Sequence, residues 1–580
     1  MNISAIYHVS TDNYCYPKDE NTLVIKIQTG RDVTGVMLVW GDPFIWGLFG
    51  SDDKWNGNNV QMQKMFDLQN NIIWQAEITP EYKRCRYYFV ISSGDDVCYY
   101  VEDGTYTKNQ FKNYKGRRQD FFFPWMNSAD IIKPADWVNE TIWYQIFPER
   151  FCSSGKNFGG KFKKWKDVNE SVNSLDFYGG DLIGVTSKLD YLKNLGITGI
   201  YFTPVNLSNS NHKYSTTDYR MIDPDFGTEE DMRNLVLQAH ERNIRVMMDG
   251  VFNHCGGNFE PWQDVCAKGK DSRYFDWFMI NKYPFENSPG RAKRGEYFAF
   301  AFVDGMPKLN TNNDEVIEYL TDICVEWVKK YDIDALRLDV SDEVSHKFNK
   351  RLRQKLFSIK PNFYIVGEVW HDPMPWLRGD EFDSAMNYSL QEAIESFWRN
   401  PTLTAEDFRR KIQTCLNRYP IQTSEVMFNL LDSHDTPRLI TRCGGDVDSF
   451  YQELCVLFTL PGTACIYYGT EIRIEGGHDP DCRRCMPWAE IQNGSYDDRI
   501  AEMKKLISVR KNTPSLRNGN INFVNSGNDR IIVYDKLDYR VVLNCSEENF
   551  DIGNFEKIVY SRKLNGTILS SGGSVIFQKN

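Results

Sequence analysis

From Thr141 onward, short apolar runs alternate with longer stretches whose apolar positions recur every three or four residues. The short runs are TIWYQIFP, GITGIYFTP, IRVMMDGVF, IDALRLDV, FYIVGEVW, DSAMNYSL, EVMFNLLDS and TACIYYGTE. Such runs read as strands buried on both faces, and the stretches between them, such as EEDMRNLVLQAHERN and EVIEYLTDICVEWVKKYD, read as amphipathic helices. Eight strands with intervening helices is the count of a closed parallel (β/α)8, or TIM, barrel. One connection departs from the rhythm. About fifty residues, 255–310, separate the third strand from the next helix, and so long an insertion usually carries function. Its Trp, Tyr, Phe and Gly content predicts a small subdomain over the barrel mouth. Up to about Phe123, β-branched and aromatic runs (TLVIKIQT, TGVMLVWG, CRYYFVISS) separated by Gly, Asp and Asn predict a β-sandwich. After the helical MKKLISVRKNTPSL the runs INFVN, RIIVYDK, YRVVLNCS, KIVYSRK and SVIFQKN predict a terminal antiparallel β domain. The expected class is therefore α/β: a barrel over 126–505 with 255–310 inserted after strand 3, a β-sandwich over 1–125 and a β domain over 506–580.

Composition narrows the function. A chain of 580 residues exceeds one ordinary core. With 41% hydrophobic and 25% charged residues it is globular, and its 68 basic against 79 acidic residues, net −11, argue against nucleic acid as a partner. No apolar run reaches membrane-spanning length, so no membrane partner is expected. The opening MNISAIYHVSTDNY lacks a basic start followed by an apolar run, and the expected location is cytoplasmic. The 14 cysteines are scattered and read as reduced, mostly buried thiols. Cys482 and Cys485 form the single Cys-x-x-Cys, without a second pair to complete a zinc site. Aromatic content of 14% fits either large cores or stacking platforms for sugars, and composition does not decide between them.

The candidate chemistry lies where barrel strands run out, the catalytic face of this fold. In IDALRLDV, Arg337 and Asp339 are two apart and share a strand face, leaving Leu336, Leu338 and Val340 toward the helices. An Arg beside an inward Asp favours its ionised form, as a nucleophile requires; a buried structural ion pair gives the same pattern. Glu368 ends the next strand after apolar residues. Desolvation there and a neighbouring Asp339 raise a carboxyl's pKa, the profile of a general acid. Adjacent strands bring the two carboxyls to about the 5–5.5 Å of a retaining pair. The seventh strand ends in LLDSHDTPR, where neighbouring His434 and Asp435 imply that the strand has become a loop, and the third ends MMDGVFNH with Asp249, Asn253 and His254.

With these segments assembled, the chain resembles the α-amylase superfamily, glycoside hydrolase family thirteen, over nearly its whole length. DGVFNH, ALRLDV, GEVW and LLDSHD match the four signature regions in order, and MPKLN, HKYSTTDY and EGGHDPDCRRCMPW look like the neopullulanase, cyclomaltodextrinase and maltogenic amylase branch. The first domain, with its WGDPFIW, looks like that branch's amino-terminal starch-binding module. The resemblance implies Asp339 as nucleophile, Glu368 as acid/base and Asp435 as the third carboxylate, gripping sugar hydroxyls. It places Arg337, His254 and His434 at the cleavage subsite, beside the nucleophile or the sugar. Tyr214, with His212 in the same motif, stacks under that sugar. Trp370 falls on the acceptor side, Asp479 and Arg483 one sugar further out on the donor side, and Asp249 is mainly architectural. It implies double-displacement hydrolysis of α-1,4 glucosidic bonds in an α-glucan oligosaccharide, and a homodimer through the N-terminal domain, which in this branch often closes a partner's active site. Cleavage of α-1,6 bonds and transfer to sugar acceptors stay open, as does the choice among cyclodextrin, pullulan, starch and maltooligosaccharide.

Three departures from the branch stand out. Its Asn/Asp-rich calcium loop is here RFCSSGKNFGG, with Cys152, Ser153 and Lys156 where oxygen ligands are needed. No cofactor is required by the implied chemistry, and calcium is expected to bind weakly or not at all. Ser215 replaces the usual Asp in HKYSTTDY, which loosens the loop carrying Tyr214, and Asp342 replaces an amide in VSDE while Glu343 is kept. A transglycosylase or isomerase of the same superfamily shares the acids and is told apart by constant reducing ends. A non-catalytic relative lacks the acid trio that is present here.

Overall fold

The computed structural model describes residues 1–44, 55, 57–115, 118–156, 160–517 and 521–579. The chain divides into two compact units, one of Met1–Lys133 with Thr402–Ser424 and one of Pro134–Pro401 with Glu425–Asn580.

The first unit is built from two antiparallel sheets. One runs Cys15–Pro17, Leu23–Gly30, Asn71–Ile78, Gln63–Asp67 in spatial order. The other runs Asn58–Gln61, Gly35–Gly41, Cys85–Ser93, Asp96–Val101, Gly104–Thr107, with Phe121–Phe123 also pairing with Cys85–Ser93. Alternate apolar residues of both sheets (Leu23, Ile25, Ile27, Trp74, Val36, Leu38, Tyr87, Phe89) meet in one core, the arrangement a sandwich requires. The strand Gln63–Asp67 also meets the helix Ala405–Asn417, and the Asp67 N–H donates to Gln413 Oε1 at 3.1 Å. Ile45 and Trp46 of WGDPFIW lie outside the described residues.

The second unit holds the barrel. Its strands are β1 Ile142–Ile146, β2 Gly199–Phe202, β3 Arg245–Gly250, β4 Ala335–Leu338, β5 Tyr364–Gly367, β6 Ser384–Ala385, β7 Phe428–Leu430 and β8 Thr463–Tyr467. They pair in parallel in the order β6-β5-β4-β3-β2-β1-β8-β7, and a parallel bridge from Met386 to Phe428 closes the ring. All eight apolar runs contain their strand. Near-total burial of these strands explains why each reads as a continuous apolar run, since helices cover the outside and side chains fill the inside. Trp143, Tyr201, Met247, Tyr364, Val366, Phe428 and Cys465 pack within the ring. Two expectations are corrected. Tyr388–Leu390, read as strand, open the helix Tyr388–Arg399, because the Asn387 side chain caps it by accepting the Leu390 N–H. Val340, read as facing the helices from a strand, lies beyond β4 at φ 43°. A β-branched residue rarely adopts that conformation, and such strain collects at functional sites.

The insertion after β3 forms the expected subdomain. It contains the helix Glu260–Lys268 and an aromatic core of Trp262, Phe278, Phe285 and Tyr297. Bridges from His254 to Lys308 and from Phe278 to Leu309 tie it back to the barrel exit, and the next helix, Asp314–Tyr331, starts on an Asn313 cap. At the other end, the helix Asp497–Asn512 runs through the expected 505/506 boundary. The terminal antiparallel sheet begins at Ile521, and its Asn544 and Gly573 carbonyls accept from Gln452 Nε2 on the helix Val447–Thr459. No helix among the described residues is long and apolar enough to cross a membrane.

Candidate active site

β4 ends in a guanidinium that organises the site. Arg337 is fully buried, and its Nη1 donates to Asp339 Oδ1 at 2.8 Å and to both oxygens of Asp249 at 2.9 and 3.0 Å. Its Nη2 lies 2.8 Å from Glu368 Oε2, an ion pair without hydrogen-bond alignment. The parallel register sets this up: Asp249 on β3 is paired with Arg337 on β4, so the carboxylate and the guanidinium leave adjacent strands at one level. Asp339 follows β4 and Glu368 follows β5, each 6% exposed. The strained turn at Val340 turns its N–H onto Glu368 Oε2 at 2.9 Å, and Trp370 Nε1 donates to Glu368 Oε1 at 3.3 Å.

One positive charge among three buried carboxylates changes the electrostatics expected from sequence. Burial pushes the Asp339 carboxyl well above the usual range; Arg337 opposes this, and the Glu368 and Asp249 charges reinforce it. Burial likewise raises Asp249 to about 6 against the pull of Arg337. Arg337 favours an ionised Asp339, as expected, but the guanidinium is shared among three acids and burial outweighs its pull. Asp435 sits a third exposed, raised by burial and held down by Arg483.

Burial disfavours the charged form of the three histidines of the site. Burial lowers His254 to about 3 and His212 to about 4, and takes His434 well below its ordinary value. His434 Nε2 lies 2.7 Å from Tyr214 Oη and 3.1 Å from Asp435 Oδ2, and Tyr214 Oη donates to Asp249 Oδ2 at 2.9 Å. The rings of His212, Tyr214 and His434 form a stack. His254 stacks on Phe300, and its Nε2 has no hydrogen-bond partner among the described residues. Arg483 joins Asp479 at 2.7 Å to Asp435 at 3.3 Å, and burial raises the Asp479 carboxyl. Trp370, 53% exposed, lies flat on Tyr388 with ring centroids 3.6 Å apart. The residues nominated from sequence thus lie in one connected network, apart from Asn253 and His254, whose side chains contact each other.

Sequence reasoning missed Gln145 on β1, Tyr201 on β2 and Tyr388. Gln145 Nε2 reaches His434 Nδ1 at 2.7 Å, and Tyr201 Oη donates to Asp249 Oδ2 at 3.0 Å. The available signal was an amide inside an otherwise apolar strand. The loop bearing His212 and Tyr214 is anchored by buried Lys213, whose Nζ pairs with Asp223 at 2.8 Å. Asp342 pairs with His371 at 3.1 Å, and Glu343 with Lys308 at 2.8 Å.

Asn157 to Gly159 of RFCSSGKNFGG lie outside the described residues. In the rest of that loop Ser154 donates through N–H and Oγ to Asp181 Oδ2, and Asp181 Oδ1 caps the helix Leu182–Thr186 through the Gly184 N–H. A carboxylate already accepting three hydrogen bonds, near a thiol and a lysine, does not fit the oxygen cage of calcium. No cluster of three metal-ligating side chains occurs among the described residues, and Cys482 donates its S–H to His434 O.

Residues 145–513 match the family described as alpha amylase, catalytic domain, and residues 1–126 match alpha amylase, N-terminal ig-like domain. The cyclomaltodextrinase of Geobacillus thermopakistaniensis is 43% identical over 566 residues, 95% of this chain and 92% of that protein. The intracellular maltogenic amylase of Bacillus subtilis is 41% identical, covering 97% and 94%. A solved cyclomaltodextrinase structure superposes with a TM-score of 0.89 at 35% identity, covering 100% of this chain and 98% of that one. The chain belongs to the alpha-amylase family of glycoside hydrolases, in the branch of cyclomaltodextrinases and maltogenic amylases.

Proposed function

We propose that the protein is a retaining α-glucan hydrolase, cleaving α-1,4 bonds in short or cyclic glucans by double displacement. The observation that carries this is the Arg337 guanidinium, which holds Asp339 and Glu368 on neighbouring nitrogens at the ends of adjacent strands. Sharing one guanidinium draws the two carboxyls toward the roughly 5–5.5 Å of a retaining pair, rather than the roughly 6.5–9.5 Å that leaves room for an inverting water. In the reactive form Asp339 is ionised and Glu368 carries the proton. Glu368 protonates the departing glycosidic oxygen while Asp339 attacks the anomeric carbon. Glu368, now deprotonated, takes a proton from the incoming water as the water oxygen bonds to the anomeric carbon and the ester to Asp339 breaks, restoring both carboxyls. Asp435, His434 and the unpaired Nε2 of His254 bind hydroxyls of the reacting sugar; Tyr214 stacks beneath it, and Asp479 and Arg483 bind the next sugar on the donor side.

Fresh hydrolysis of a maltooligosaccharide followed by NMR tests this reading: the α-anomer forms first, whereas initial β-anomer overturns it. An Asp339→Asn protein is nearly inactive, and azide restores turnover by forming a β-glycosyl azide; substantial turnover without azide refutes the nucleophile. Transfer to a sugar hydroxyl competes with water, favoured by the exposed apolar face of Trp370 beside Glu368. Constant reducing ends during turnover identify it.

The reaction needs no metal, because side chains supply each proton and charge. Dialysis against a chelator is therefore expected to leave both kcat and Tm unchanged. We further propose a cytoplasmic homodimer associating through the N-terminal domain. The location is supported by the absence of any disulfide among the described residues and by a relative named as intracellular. Sedimentation that finds only monomers at micromolar concentration overturns the dimer.

A further inference from the structure

We infer that Gln145 is a positioning residue that fixes which nitrogen of His434 carries the proton, and so delivers a hydrogen-bond donor to the reacting sugar and to Asp435. Carboxylates dictate the assignment. Tyr214 has one hydroxyl proton and faces Asp249 Oδ2 at 2.9 Å, an oxygen that can only accept while Arg337 holds that carboxylate. Tyr214 therefore donates to Asp249 and presents its lone pair to His434 Nε2, 2.7 Å away. Asp435 Oδ2, 3.1 Å from the same nitrogen, also demands a donor. His434 must then be the Nε2–H form, and its Nδ1 must be a bare acceptor. Gln145 Nε2 stands 2.7 Å from that Nδ1, buried on β1, and an amide nitrogen can only donate.

The rest of the surroundings reinforce the neutral ring. Arg483 and Arg337 place positive charge near His434, and His212 lies close by, while Asp435 supplies an adjacent carboxylate. With donors facing Nδ1, a second proton has no acceptor there. Hydrogen bonds thus run one way from Gln145 through His434 and Tyr214 to Asp249, which also accepts from Arg337 on its other side. A substitution at Gln145 touches no sugar, yet it reverses or frees the donor that the sugar meets.

The kinetic arm of the test rests on the proposed hydrolase reading; the spectroscopic arm does not. In protein labelled with 15N-histidine, His434 is expected to show an imine-type Nδ1 and a pyrrole-type Nε2 across neutral pH. Gln145→Glu replaces the donor with an isosteric acceptor, so the two signal types exchange or both become protonated. In the same variant kcat falls by up to about 100-fold on a maltooligosaccharide, the scale of a misplaced catalytic contact. A His434 inflection also enters its pH–rate profile. Gln145→Leu, lacking both donor and acceptor, falls between parent and Gln145→Glu without that inflection. A wild-type His434 protonated on Nδ1 overturns the inference outright, and this measurement decides even if the variants do not fold. Gln145→Glu with a parental tautomer, or with kcat lowered equally at every pH, also overturns it.

Discussion

Arg337 is asked to satisfy Asp249, Asp339 and Glu368 with one charge, so its pull on Asp339 is shared. Attack requires ionised Asp339, whose carboxyl is pushed above its ordinary value, chiefly by burial. The acid limb of kcat/KM for the free enzyme should therefore fall above the usual aspartate range near 3.8, activity declining as pH drops through it. A pH–rate profile of wild-type protein checks this; a limb at ordinary aspartate values contradicts it. Outside the site, Glu453 offers a cleaner stability test. Burial, with the charge of Glu395, raises its carboxyl from 4.5 to about 8. The folded protein thus keeps a proton that the unfolded chain sheds, and the associated stability is full below about pH 4.5 and lost as pH rises toward 8. Glu453→Gln removes the titration but keeps a carbonyl for the Cys443 thiol, so its Tm should exceed that of the parent by a widening margin from pH 5 to pH 8. Thermal melts at the two pH values measure the margin, and parallel pH profiles refute the assignment. Among single residues, the acids were legible in the sequence because a carboxyl at the end of an apolar strand is conspicuous. Gln145, Tyr201 and Tyr388 were not. Their meaning comes from neighbours on other strands and loops, and only the closed ring supplies those neighbours.

At the scale of elements, the strand ends are packed too closely to move independently. A Cβ at Gly367, the last residue of β5, meets the Phe382 ring at 2.5 Å and Ser341 Oγ at 2.8 Å. Ser341 Oγ itself donates to the Glu368 carbonyl. Gly367→Ala should displace the strand end that carries Glu368, costing about 1–3 kcal/mol of stability by overpacking. Turnover should fall by as much as 100-fold, a loss of roughly the size expected for about 1 Å of misplacement. Steady-state kinetics beside a denaturant melt would show both; unchanged kcat would mean that the strand end accommodates the methyl group. The elements themselves were readable from pattern where burial was continuous, as in TIWYQIFP and TACIYYGTE. The failure at DSAMNYSL has a physical cause. A short, fully buried apolar run does not distinguish helix from strand, and here two strand residues and one bridging residue pass directly into a capped helix.

For the molecule as a whole, domain order was legible but domain membership was not, because the pattern of apolar runs is linear while compact units need not be. The first unit draws Thr402–Ser424 from between the sixth and seventh barrel strands. Within that unit Asn13 Nδ2 donates to Asn417 O, Gln422 Nε2 to Pro17 O, and the Asp67 N–H to Gln413 Oε1. Deleting residues 1–133 should therefore strand this helical segment without its sheet partners, and the remaining chain should be insoluble or melt well below the parent. A truncated protein with parental Tm and solubility would show the segment to be self-sufficient. The same discontinuity sets a schedule for biosynthesis. A ribosome adding about 5–20 residues per second delivers Thr402 roughly 13 to 54 seconds after Lys133 has been made. During that interval the nascent sandwich waits with the edge strand Gln63–Asp67 uncovered, the kind of edge that recruits other chains. Its order along the chain makes this domain the first to be started, yet it is not complete until Ser424 has been added.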